Sequence, residues 1–382
     1  MPVHHLMVGT WTPPAAIFTF AFDDEALTLV KVNRTAIPVD EPISWMTFSH
    51  DKKALYGAAV KAWSSYAVES PNSIVHQASF AMPHDVQAQS PDADTRAIFL
   101  LASSTPPYAV YCNPFYSHAG AGSVFSVDGS SGALAENVQN FAYRPESGVH
   151  GTVFHPDGRH LYSADLSANS IWVHRRRDHG HQGSPSPELD LVGVVAAPHP
   201  RDHPRWVAVH PSGTALYVLM EAGNRVCEYA VSSSSPLPVF TGRQFSLAPP
   251  QEAHESVTAN ESVTANESVT RFRGDVCALS HSASYLFAST RAADPNRPGY
   301  LAAFELSPEG RLERCLLLQP TTTSGGHSNA VSPSDWTDQW LAVVEDQSGF
   351  LDIHRWRNHT LERVARLQVS EPGFGMNAIW YD

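Results

Sequence analysis

An internal repeat that closes on itself constrains this chain more than any other feature of its sequence. Residues 149–174 (VHGTVFHPDGRHLYSADLSANSIWVH) and 204–231 (PRWVAVHPSGTALYVLMEAGNRVCEYAV) share one frame. An apolar stretch ends at Phe154 or Val209, His-Pro-x-Gly follows, and Leu-Tyr opens a second apolar stretch. A polar turn carrying Asn169 or Asn224 then leads into a third. Short apolar runs joined by turns read as antiparallel strands, and three or four of them make a propeller blade. The frame recurs at 45–68, at 275–292 with 299–306, at 329–356, and more loosely at 98–115 with 122–129.

The two ends complete the count. Residues 377–382 (NAIWYD) read as a first strand with no successor, and residues 5–22 as a second and third strand with no predecessor. Joined in space they form one blade and remove the open sheet edges. The expected fold is all-β: a seven-bladed β-propeller over residues 1–382, a single domain closed by pairing of the N- and C-terminal strands. A low-complexity loop insertion is expected at 252–270, where Glu255–Thr270 repeats Glu-Ser-Val-Thr-Ala-Asn and offers little apolar surface to bury. Its Asn260 and Asn266 match the N-x-Ser pattern, and His179 and His181 fall in another polar loop, read as solvated.

Composition narrows the partners. The net charge of −13 leaves no basic field for nucleic acid or an anionic membrane. No apolar run reaches the roughly 20 residues of a membrane helix. The N-terminus lacks the basic and apolar regions of a secretory signal, so the expected location is the cytoplasm. The four cysteines (Cys112, Cys227, Cys277, Cys315) are widely spaced without a C-x-x-C pair, and read as reduced, mostly buried thiols. With an acidic chain, an anionic ligand must be held by a few locally placed cationic residues.

The repeat also says where those residues sit. In a blade the first strand starts, and the antiparallel second strand ends, at the same face of the ring. Four residues before Phe154 and its equivalents stand His150, Arg205, Asp275, His327, Met376 and Ser44. Five residues after the first Leu of each second strand stand Glu221, Arg291, Asp346, Leu166, Val60 and Trp11. Different and often ionisable residues in a symmetric frame suit an asymmetric small molecule. Gathering two Arg, two His and carboxylates at one mouth carries a desolvation cost that a ligand would offset. The His-Pro histidines His155 and His210 read instead as turn caps. No G-x-S-x-G elbow, H-E-x-x-H, P-loop or G-x-G-x-x-G is present, so nothing in the sequence calls for a nucleotide, flavin or metal.

At these residues the chain resembles the fungal 3-carboxy-cis,cis-muconate cyclases (carboxymuconate lactonizing enzymes), a family of seven-bladed propellers. The resemblance is carried by HHLMVGTWTPP (4–14), DEPISWMTF (40–48), PPYAVYCNPFY (106–116), DHPRWVAVHPSG (202–213), LMEAGNR (219–225), TSGGHSNAVSP (323–333) and EPGFGMNAIWYD (371–382). It implies a cofactor-independent cycloisomerase of the protocatechuate branch of the β-ketoadipate pathway. The substrate would be a tricarboxylate, the product 3-carboxymuconolactone, and the assembly a homo-oligomer. The family's catalytic residues fall on His150, Arg205, Glu221 and Arg291. Arg205 and Arg291 suit carboxylate binding, together with His327 and Trp11 as pocket lining. His150 or Glu221 would supply the proton, and Glu221 would alternatively orient His150 or an Arg. Two other readings compete: a propeller lactonase that opens a lactone with water, and a non-enzymatic platform, which would be expected to carry regular Trp-Asp and Gly-His signatures.

Overall fold

The structure, a computed structural model, describes residues 2–83, 96–115, 121–177, 186–249 and 271–381. The 252–270 insertion, with Asn260 and Asn266, and the His179 and His181 pair lie outside the described residues. The described residues form 28 strands arranged as seven four-stranded antiparallel sheets. We number the sheets as blades in chain order. Blade 1 orders β28 (Phe374–Trp380), β1 (Val3–Thr10), β2 (Ala16–Asp23) and β3 (Thr28–Ala36). Blade 2 holds β4 (Trp45–Phe48), β5 (Ala54–Ala59), β6 (Ala62–Ser70) and β7 (Ser73–Ala81). Blade 3 holds β8 (Arg96–Ala102), β9 (Ala109–Phe115), β10 (Ala121–Val127) and β11 (Leu134–Ala142). Blade 4 holds β12 (Val149–Phe154), β13 (His160–Asp165), β14 (Ser170–Arg176) and β15 (Leu189–Ala196). Blade 5 holds β16 (Pro204–Val209), β17 (Ala215–Met220), β18 (Arg225–Ala230) and β19 (Val239–Ser246). Blade 6 holds β20 (Phe272–Leu279), β21 (Tyr285–Ala292), β22 (Tyr300–Leu306) and β23 (Leu312–Pro320). Blade 7 holds β24 (Asn329–Pro333), β25 (Trp340–Glu345), β26 (Phe350–Arg357) and β27 (Thr360–Gln368).

The burial of each strand follows its place in the blade. The second strands β5, β13, β17 and β25 are buried at every residue, because neighbouring blades cover both of their faces. In β5, β17 and β25 the near-continuous apolar composition reflects that two-sided burial, whereas β13 also buries His160, Ser163 and Asp165. Outer strands such as β11 and β27 face water and carry Glu136, Gln139, Glu362 and Arg366. The His-Pro-x-Gly turns interlock from blade to blade. His155 Nε2 lies 2.9 Å from the Gly213 carbonyl in the next blade's turn, while its Nδ1 accepts the Asp157 N–H at 3.2 Å. His210 repeats the local part, accepting the Ser212 N–H at 3.2 Å.

The ring closes where the sequence pattern placed it. β28 pairs antiparallel with β1 in the register Leu6–Trp380, Met7–Ile379 and Val8–Ala378. Phe374 packs edge-on against Phe18 and Phe20 at ring-centre distances of 5.5 and 5.8 Å. The terminal strand is also tied to both adjoining blades. Asn377 exchanges two hydrogen bonds with the Met46 backbone in β4, each of 3.2 Å, and the Trp380 indole donates to Ser332 O in β24 at 3.0 Å. Cys112, Cys227 and Cys277 are buried, Cys315 is exposed, and all four are free thiols.

Two histidines inside the blades make stability depend on pH. His174 and His354 are 2% and 6% exposed, and burial lowers the pKa of each to about 4. The unfolded chain, with a histidine pKa near ~6.5, therefore binds more protons than the fold between these values. Stability is full above pH ~6.5 and is lost as the pH falls towards 4, by up to about 3 kcal/mol per group. Thermal unfolding measured across that window should show a falling midpoint. His174 sits among Phe141, Tyr143 and Trp172, so His174→Phe should flatten the slope.

Candidate active site at the channel mouth

Three of the residues selected by repeat alignment occupy the same local device. The register between first and second strand shifts between Val149 and Thr152 in blade 4, between Pro204 and Trp206 in blade 5, and between Gly274 and Cys277 in blade 6. His150, Arg205 and Asp275 fall in those three irregularities. A bulge bends a strand and re-aims one side chain, which is how it serves a site at the rim of a ring. The first strands also approach closely here: a Cβ on Gly151 would stand 3.1 Å from the Arg205 carbonyl oxygen.

The bulges and the exits of the second strands enclose a pocket of about 560 Å³. All six selected site residues line it: His150, Arg205, Glu221, Arg291, His327 and Trp11. Leu166 and Met376, from the same aligned positions, line it as well. Four aligned residues do not. Asp275 and Asp346 stand behind the wall, and blade 2 adds nothing, since Ser44 Oγ donates instead to the Ala97 carbonyl at 2.7 Å and Val60 bridges to Ala97. The alignment missed Arg96, Ile98, Phe115, Ser167 and Arg273.

A four-membered ion network organises the wall made by blades 5 and 6. Arg205 donates to Glu221 Oε2 at 2.6 Å and stands 3.1 Å from Asp275 Oδ1. Arg291 lies 3.3 Å from the same Asp275 oxygen and 3.5 Å from Glu221 Oε2. Asp275 is 1% exposed, and its other oxygen accepts the Asn329 N–H at 2.6 Å. Burial pulls the Arg291 pKa down, and Asp275 opposes the shift. Arg273 is the cross-strand partner of Arg291, so two like charges face each other across β20 and β21. That arrangement is unfavourable until an anion comes between them.

The histidines differ in kind. His150 is buried against Phe115 (5.1 Å between ring centres), and its Nδ1 has no hydrogen-bond partner among the described residues. Burial, then Arg205 and Arg291, hold its pKa well below 6.5, so it is neutral at pH 7. His327 is exposed and tethered: its N–H donates to Asp346 Oδ1 at 2.6 Å, and its Nδ1 lies 3.0 Å from Oδ2. Its carbonyl accepts from Arg291 at 2.7 Å, and its ring rests 4.7 Å from Trp11. Gly326 sets this loop with φ +61°, where a Cβ would stand 2.4 Å from Asp346 Oδ1.

Chemically, the lining offers four guanidiniums against a single carboxylate, Glu221, with one neutral imidazole held out of water. Such a lining has the charge to bind carboxylates and to stabilise charge that develops on them. Elsewhere, His155, Asp157 and His160 bring three possible metal-donor atoms within 4.8 Å of one another. They lie in the β12–β13 turn at the far end of the strands, where His160 Nδ1 lies 2.7 Å from Asp157 Oδ2.

Asp275 should be the keystone of the ion network. Asp275→Asn leaves two buried guanidiniums short of a counter-charge, which should cost about 3 kcal/mol in denaturant unfolding. Citrate should then raise the melting temperature of the variant more than that of the wild type.

Comparison with known proteins agrees with this architecture. Residues 5–374 match the model of the family described as Lactonase, 7-bladed beta-propeller. The chain is 54% identical over its full length, and over all of the relative, to a Neurospora crassa protein named carboxy-cis,cis-muconate cyclase. It is 26% identical to muconate cycloisomerase 1 of Cutaneotrichosporon cutaneum over 58% of this chain and 55% of that one. Among solved structures, the Pseudomonas aeruginosa periplasmic gluconolactonase shares the fold at TM-score 0.75 and 18% identity, covering 99% of each chain. A Lactobacillus plantarum protein does so at TM-score 0.75 and 16% identity, again over 99% of each. The chain therefore belongs to the seven-bladed β-propeller lactonase family, and within it to the carboxy-cis,cis-muconate cyclases.

Proposed function

We propose that this protein is a cycloisomerase that converts 3-carboxy-cis,cis-muconate to 3-carboxymuconolactone, in the protocatechuate branch of the β-ketoadipate pathway. The observation that carries the reading is the excess of guanidinium over carboxylate at the mouth, in a chain 54% identical throughout to a protein of that name. The reading treats the enzyme as cytoplasmic and cofactor-independent.

The reaction makes few demands on protein nucleophiles. One substrate carboxylate adds to a carbon–carbon double bond of the same molecule, forming a C–O bond. The π electrons move onto the adjacent carbon and its carboxylate, and that carbon takes a proton. A trianion plus one proton becomes a dianionic lactone. The enzyme must fold the diene, hold the growing charge and deliver the proton. Orienting an intramolecular step contributes up to about 7–11 kcal/mol at its upper range. Arg205 and Arg291 bind the carboxylate on which charge develops. Glu221, bonded to both, sets their geometry or serves as a second proton donor. His327 and Trp11 line the outer side. His150 is our first choice for the proton. It is neutral because of burial and two neighbouring arginines, and a bound trianion reverses that field.

Two measurements test this. Chelator-treated protein should rapidly remove the ultraviolet absorbance of 3-carboxy-cis,cis-muconate, and Arg291→Ala should slow the loss by about 100-fold or more. If the substrate is untouched and a sugar lactone is hydrolysed, the hydrolase reading replaces this one. Calorimetry of a saturated tricarboxylate in buffers of different ionisation enthalpy should show proton uptake at pH 7 that is absent in His150→Gln. Because the pKa of His150 lies well below 6.5, affinity should weaken as the pH rises through neutrality. Equal uptake in both proteins would assign the proton to another group.

A further inference from the structure

The four guanidiniums are not equivalent. Arg205 and Arg291 share Glu221 and Asp275, so their charges are largely spoken for before a ligand arrives. Arg273 stands beside them on β20, opposite Arg291. Arg96 is different in place and surroundings. It opens β8 in blade 3, three blades from Arg273, paired in register with Phe115. The lining from blades 1 and 3 is otherwise Trp11, Met376, Ile98 and Phe115, all uncharged. Its guanidinium carbon lies 5.1 Å from the centre of the Trp11 ring, and it makes no ion pair with any described residue. A half-buried cation held over an aromatic face, in an apolar wall and with no counter-ion among the described residues, is placed to take an anion.

The reaction tells which anion. The three carboxylates of the substrate have three fates. One becomes the nucleophile and loses its charge to the ester. One, next to the protonated carbon, gathers charge in the transition state and belongs on the paired arginines. The third, the 3-carboxyl group, keeps its charge from start to finish. An uncompensated guanidinium on the nucleophile would stabilise the ground state more than the transition state and slow the reaction. On the 3-carboxylate it contributes binding without that penalty.

We infer that Arg96, seated on Trp11, is the subsite for the 3-carboxylate and sets the preference for tricarboxylates over dicarboxylates. The inference rests on the cyclase reading. A plain muconate would leave this cation buried under the bound chain with no partner, and discrimination of that kind is large because an unpaired charge is left behind.

The test compares two saturated competitors, butane-1,2,4-tricarboxylate and adipate, which differ by that one carboxylate. Their inhibition constants are measured on wild type, Arg96→Met and Arg96→Lys, with 3-carboxy-cis,cis-muconate as the substrate and thermal unfolding as a check on the fold. The wild type should favour the tricarboxylate. Arg96→Met should weaken it by about 30-fold or more while changing adipate by less than about threefold, so the ratio collapses. Arg96→Lys should restore part of the ratio, having the charge but not the planar fork. An equal fall for both competitors would place Arg96 on a shared carboxylate, and no change for either would leave it only packing on Trp11; both results overturn the inference. If the wild type does not convert the substrate, the cyclase reading itself falls. Conversion with an unmoved ratio sinks the Arg96 assignment alone.

Discussion

The pairing of β28 with β1 is the constraint on which the rest of this molecule depends. A propeller blade cannot cover its own inner faces, so each sheet relies on two neighbours and the ring on being complete. Closure here joins strands from opposite ends of the chain, and the bond pattern extends beyond one sheet. Asn377 reaches β4 on one side and Trp380 reaches β24 on the other. The site inherits this. Met376 and Trp11 face the pocket from one blade although 365 positions separate them in the sequence, and His327 packs on Trp11 from the next blade. Opening the ring would separate the walls of the pocket before any catalytic side chain moved.

Within that ring, the functional asymmetry is produced by small departures from regular pairing. The bulges of blades 4, 5 and 6 put an imidazole, a guanidinium and a carboxylate at equivalent places. Their roles then diverge because their surroundings do. Asp275 turns behind the wall and binds two arginines, whereas His150 stays in the pocket against Phe115 and is kept neutral by burial first and by the same two arginines second. A buried ion network of this kind is a weak source of stability. On the cyclase reading, its value lies in fixing Arg205 and Arg291 before the ligand enters, so that little reorganisation accompanies the development of charge.

The repeat made the blade count and the closure legible because the His-Pro-x-Gly turn and the Leu-Tyr strand are short-range signals that recur at fixed offsets. The same offsets found His150, Arg205, Glu221, Arg291, His327 and Trp11 in the lining. They failed where the frame slips. The second strand of blade 3, Ala109–Phe115, has no Leu to anchor the frame, so Arg96 had no aligned equivalent to reveal it. In blade 6 the shift between Gly274 and Cys277 turns Asp275 inward and brings Arg273 to the mouth, two residues before the aligned position. Apolar lining such as Ile98 and Phe115 carries no sequence signal apart from blade core. The neutral state of His150 was also illegible, since it arises from burial and from charges that only the folded ring assembles.

Charge accounting links this pocket to its chemistry on the cyclase reading. Four lining guanidiniums, set against Glu221 and the buried Asp275, leave an excess of two positive charges while His150 is neutral. A bound tricarboxylate brings three negative charges, so the site is one positive charge short. That shortage favours protonation of the one imidazole shielded from water, and it arises only when substrate is present. The new C–H bond then consumes the proton, leaving a dianionic lactone opposite an excess of two. His150 returns to its neutral state, and no part of the site retains an uncompensated charge to hold the product. A lactone hydrolase would instead have to position water and release a new carboxylate into this field, which would bind that product more tightly than its substrate. The electrostatics thus favour closing a lactone over opening one.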